Sequence, residues 1–265
     1  MSQTIQLHDY AAQIIETPEL AVKLREPAGK IIDTVDYPAR HIRAPAREPN
    51  LAITPAKQAL KIPKIDGFAD IKQRVRILHG AANHELQAVE LFAWAVLAFP
   101  DAPSGLRQGL LARIREEQHH CRLYIDRLAE LNVTFGDYPV TGYFWGKLKD
   151  ITTVSSFLAV MCLTFEQANL DMSLSYERAA LACDDAQSAA VFRNVYEDEI
   201  EHVRFGWFWI DKLKSEDAVT WDYYKHLLPE SVPPDRCRAA DFNTPGRTRA
   251  GLSADYIKKA IESAS

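Results

Sequence analysis

Two short stretches of this sequence read Glu-x-x-His: Glu117-Gln118-His119-His120 and Glu199-Ile200-Glu201-His202. On a helix, residues three apart lie on one face about a turn apart, so a carboxylate and an imidazole at that spacing can direct oxygen and nitrogen donors at one metal ion. Two more glutamates stand upstream at matched distances. Glu85 precedes Glu117 by 32 residues, and Glu166 precedes Glu199 by 33. The chain therefore has two halves of one form, a glutamate followed by Glu-x-x-His, as two facing helical hairpins would need to bring six ligands to one depth. The candidate metal ligands, which are also the candidate catalytic residues, are Glu85, Glu117, His120, Glu166, Glu199 and His202. Their four carboxylates balance two divalent cations. Oxygen and imidazole donors suit iron or manganese better than metals that prefer soft ligands. Two iron ions are expected, with manganese or a mixed iron and manganese pair as alternatives.

Helices must present these residues. Positions 71–99 place Val75, Leu78, Ala82, Glu85, Val89, Phe92, Val96 and Phe99 at spacings of three and four, which predicts one long helix with a single inward stripe. A second helix is predicted over 104–131, with Ser104 as its cap and Glu117 inside the stripe Leu110, Ile114, Glu117, Cys121, Tyr124, Leu128 and Leu131. A third covers about 153–183. A fourth starts after Asp184 and Asp185 and ends near Ile210, carrying Phe192, Val195, Glu199, His202, Gly206 and Trp209. Ionised glutamates on apolar stripes are strongly disfavoured unless paired or coordinated, which is the physical reason to read them as ligands. No useful run of strand-like alternation is present. The expected architecture is all-α, a four-helix bundle over 67–215, preceded by a helical segment and proline-rich arm over 1–66 and followed by an extension over 216–265 that packs on the bundle.

Alternatives stand beside several positions. Glu90 lies on the same helix as Glu85, but it precedes Glu117 by 27 residues and breaks the match between halves. Glu116 and His119 sit one position off the second helix's ligands, and Glu197, Asp198 and Glu201 read as a solvated acidic face. His79 and His84 read as ordinary polar residues. Tyr124, one turn after His120, is a stripe aromatic or a redox-active phenol. Asn169 shares a face with Glu166 and is placed to hydrogen-bond a ligand.

The pattern Glu85, Glu117-x-x-His120, Glu166, Glu199-x-x-His202 resembles the ferritin-like di-iron carboxylate superfamily, which includes rubrerythrins, bacterioferritins and di-iron hydroxylases. The surrounding text (HELQAVELFAWAVLAFPDAP, FEQANLD, EDEIEHVRFG) is similar to a bacterial ferritin-like family without an assigned function, over most of the chain. The resemblance implies that Glu117 and Glu199 bridge two metals, that Glu85 and Glu166 are terminal carboxylates, and that His120 and His202 bind one metal each. It also implies dioxygen or peroxide activation, in an oxygenase, oxidase or hydroxylase with a small-molecule substrate and an external electron donor. One fold hosts several chemistries, so an iron-handling ferroxidase or storage protein and a non-catalytic structural metal bundle stay open. The chain has no Cys-rich one-iron module of the rubrerythrin kind.

Composition narrows the classes. The 265 residues are 47% hydrophobic, enough for a sizeable core. With 31 Lys and Arg against 36 Asp and Glu, the net charge of −5 supplies no global field toward nucleic acid. A local excess exists between Arg40 and Arg76, where nine basic residues, Arg47 and Lys57 among them, meet three acidic ones. This is read as a solvated arm, with RNA contact, including a modified tRNA base as substrate, the narrower alternative. Pro38, Pro45, Pro49, Pro55 and Pro63 forbid a long helix there. The longest apolar stretch, 91–99, is shorter than the roughly 20 residues that span a bilayer. Cys121, Cys162, Cys183 and Cys237 are scattered as reduced thiols would be. A cytoplasmic protein, expected as a homodimer, follows from these readings.

Overall fold

Asp70, Thr153 and Asp185 start three of the long helices by one device. Each side chain accepts from a backbone N–H of the first turn that has no intrahelical partner: Lys72 at 2.9 Å, Ser156 at 3.1 Å and Ser188 at 2.9 Å. The fourth starts differently. Pro103, in extended conformation, occupies the cap position and Ser104 is already helical, so Ser104 makes no cap. A computed structural model describes residues 4–55 and 61–263, of which Lys57 is not one. The chain is 64% helix and 4% strand, an all-α protein with ten α-helices among the described residues. It divides into two compact units, Met1–Lys149 and Asp150–Ser265.

In the first unit, strand β1 (Thr4–Gln6) leads into helix α1 (Leu7–Glu16), and a short α2 (Leu20–Lys23) follows. Strand β2 (Lys30–Ile32) pairs parallel with β1, with Ile5 opposite Ile31. Helix α1, within the helical segment expected over 1–66, packs on α3 (Ile71–Ala98). Helix α4 (Ser104–Glu130) returns along α3 to make a hairpin. A second parallel pair joins β3 (Ile53–Thr54) to β4 (Val140–Thr141). Every residue of α3 from 85 to 98 is buried, so each polar group there must find a partner inside the protein.

In the second unit, α5 (Val154–Val160), a π-helical segment (Met161–Glu166) and α6 (Gln167–Leu181) run as one rod. Helix α7 (Ala186–Leu213) packs back along it. Thr164 stabilises the widened turn by donating its hydroxyl to the Ala159 carbonyl at 2.8 Å, five residues back. Gly206 allows the close approach of α7, because a Cβ there would lie 2.3 Å from the Cys162 Cβ. Helices α8 (Thr220–Leu227), α9 (Thr244–Arg249) and α10 (Ala254–Glu262) complete the unit.

Candidate metal centre

In the first unit, Glu85 comes from α3 and Glu117 with His120 from one face of α4. His120 Nδ1 stands 3.5 Å from Glu117 Oε2 and 3.6 Å from Glu85 Oε2. Each of the three offers a donor atom within 4.8 Å of the other two, and all are buried. Donors bound to one ion at about 2.0–2.2 Å, with roughly 90–120° between them, stand about 3–3.7 Å apart, so this spacing fits a metal better than a hydrogen bond. Burial pushes the Glu85 carboxyl well above the usual carboxylate range; the charge of Glu117 adds to the rise and His120 opposes it. A divalent cation reverses that electrostatic balance. Cys121, next in the chain after His120, is held as a neutral thiol by burial and donates to the Ala82 carbonyl at 3.5 Å.

Glu90 has a different environment. It is fully buried, with Lys23 Nζ 3.1 Å from Oε1, Arg47 donating to both oxygens at 3.0 and 2.8 Å, and the Trp145 indole donating to Oε2 at 2.9 Å. Its acceptor sites are thus occupied by protein donors. Among the described residues Glu85 has no ion pair to a lysine or arginine. Arg47, counted in the sequence with a solvated basic arm, has a buried side chain that also donates to Asn83 at 3.0 Å.

In the second unit, Glu166 ends the π-helical segment while Glu199 and His202 share a face of α7. His202 Nδ1 lies 3.4 Å from Glu199 Oε2 and 4.0 Å from Glu166 Oε2, and all three side chains are buried. Asn169 donates to Glu199 Oε1 at 2.8 Å, and Ser173 donates to Asn169 Oδ1 at 3.0 Å. Asp171 is taken by Arg247 and by the backbone N–H groups of Ala239 and Asn243 at 2.8 and 2.7 Å. The two units therefore share one scheme. A triad glutamate is followed five residues later by a buried carboxylate that an arginine from a distant segment neutralises.

Both triads lie within residues 6–258, the stretch matched by a family model described as Protein of unknown function (DUF455). The chain belongs to this DUF455 family. No curated protein and no solved structure matches it. In this DUF455 member, the remaining candidates lie apart from the triads. His119 is exposed, Glu116 pairs with Arg113, and Glu197 pairs with Arg249 and Arg193 on the surface. Exposed Glu201 pairs with Arg204. His79 accepts from the Gly136 N–H at 2.9 Å, and His84 packs against Phe144. Tyr124 is buried on α4. Lys23, Arg47, Trp145 and Arg247 were not identified from sequence; the five-residue echo of Glu90 in Asp171 was the available signal. Among the described residues, no helix is long and apolar enough to cross a membrane.

Proposed function

We propose that this DUF455 protein is a ferritin-like di-metal carboxylate protein on a four-helix bundle, carrying two ions per chain, one for each triad, that work as a pair. Iron is the first candidate, with manganese or a mixed pair next. The observation that supports this reading is the repeated triad: in each unit two buried glutamates and a histidine converge at metal-donor spacing, while the neighbouring Glu90 and Asp171 are neutralised by arginine. Such ions, held by glutamate and histidine, supply electrons for activating dioxygen or peroxide, so the activity proposed is an oxidoreductase acting on a small molecule with an external electron donor.

The chain's own groups have definable tasks in this reading. His120 and His202 act as neutral imidazoles through the Nδ1 atoms that face the carboxylates. Glu85 binds as its carboxylate, so loading releases the proton that burial favours on it. The apolar surroundings of α3 and α7 exclude water, and the buried Glu90 and Asp171 pairs fix the helices that carry the triads.

Metal content per chain after expression with iron and manganese tests the proposal, followed by the optical response of the anaerobic ferrous protein to oxygen. Two redox-active metals and an oxygen-dependent spectral change are expected. Replacing Glu117 and Glu199 together by alanine is expected to abolish two-metal occupancy, and retention of both metals would overturn the ligand assignment. Tightly held zinc without an oxygen response would mark a structural metal; iron accumulating far beyond two per chain would mark storage.

A further inference from the structure

The two triads match in donor type, and they differ in what holds them. Counting from the triad glutamates, Asn169 stands three residues after Glu166, where the first half has Ala88, and Ser173 stands seven after, where it has Phe92. Only the second unit has an amide and a hydroxyl at these places. Asn169 presents its NH2 group to Glu199, leaving Oδ1 for the Ser173 hydroxyl. Serine fixes the amide and the amide fixes the carboxylate. Glu199 Oε1 is thereby occupied while Oε2, 3.4 Å from His202 Nδ1, accepts no hydrogen bond among the described residues.

We infer that Asn169, locked by Ser173, is a positioning residue that makes the two metal positions unequal. This rests on the two-metal reading above. With one oxygen engaged, Glu199 presents a single oxygen beside His202 in a rotamer set before the ion arrives, so the ordering cost of binding is already met. At the corresponding place in the first unit, Ala88 and Phe92 carry no group that can hold a carboxylate. The second-unit position loads first and more tightly.

The test is calorimetric titration of the metal-free full-length chain with cobalt(II), read together with the visible ligand-field spectrum. Two steps separated by at least about tenfold in affinity are expected, the scale on which groups supporting metal ligands act. His202→Ala should remove the tighter step and His120→Ala the weaker. Asn169→Ala should weaken the tighter step by about 10- to 100-fold and shift its spectrum, and weaken the other step by less. Ser173→Ala, which deletes one hydroxyl, should act in the same direction by less, and it serves if Asn169→Ala fails to fold. Two steps of equal affinity in the natural chain, or a tighter step indifferent to both substitutions, overturn the inequality and leave the two-metal reading standing. A chain that takes up no cobalt overturns both.

Discussion

Asp171 and Arg247 form a bidentate ion pair, Nη1 2.6 Å from Oδ1 and Nη2 3.0 Å from Oδ2, with both side chains fully buried. Arg47 grips Glu90 in the same forked manner in the other unit. In both cases the arginine comes from a segment distant in sequence and the carboxylate from a helix that carries a triad glutamate.

Removing one partner of such a pair leaves a desolvated charge behind. Asp171→Ala is expected to destabilise the chain by about 3–5 kcal/mol, and Asp171→Leu combined with Arg247→Met by less than either single change. Urea unfolding of Asp171→Leu, Arg247→Met and the double variant reads this, and additive losses would show that the charges do not act as a pair.

Glu85 and Glu90 are expected to separate metal binding from folding. Glu90→Gln should lower stability by about 3–5 kcal/mol while metal content stays near that of the natural chain. Glu85→Gln should cost metal and leave the metal-free protein at least as stable at neutral pH, because burial disfavours its charged form. Metal analysis alongside thermal melts checks both; the reverse pattern would exchange their roles.

His79 should give the fold an acid limit. Its Nε2 accepts from the Gly136 N–H, and burial lowers its pKa to about 4 from 6.5, against a smaller opposing pull from Asp137. The folded state thus binds fewer protons than the unfolded chain between those values. The stability from this group is complete above about pH 6.5 and is lost as pH falls toward about 4. His79→Gln should reduce the slope of unfolding free energy against pH in that window. Parallel slopes would mean that the proton is taken up elsewhere.

Gly206→Ala is expected to cost about 1–3 kcal/mol by overpacking, since its Cβ would meet Cys162 at 2.3 Å. Because Cys162 lies in the π-helical segment that ends at Glu166, the same change should weaken cobalt binding at the second-unit position more than at the first. Equal weakening of both steps would point to a general loss of stability.

The long helices were legible because their causes are local: Asp185 marks one start, and apolar spacing marks the inward faces. The spacing of Glu117 with His120 and of Glu199 with His202 is likewise a property of three consecutive peptide steps on a helix. Ser104 was misread as a cap because Pro103 already supplies the residue before the helix. The π-helical turn gives no comparable local signal, since its widening is held by Thr164 reaching Ala159 and by the fit of Gly206 against Cys162. The sequence by itself determined which side chains could bind metal and that they come in two similar sets. The spacing match already favoured Glu85 over Glu90; tertiary structure alone decided that Glu90 lies under Lys23 and Arg47, because those cations arrive from segments more than 40 residues away in the case of Arg47 and farther for Lys23. A buried carboxylate's role depends on whether a cation of the protein reaches it first, and that depends on how the chain packs.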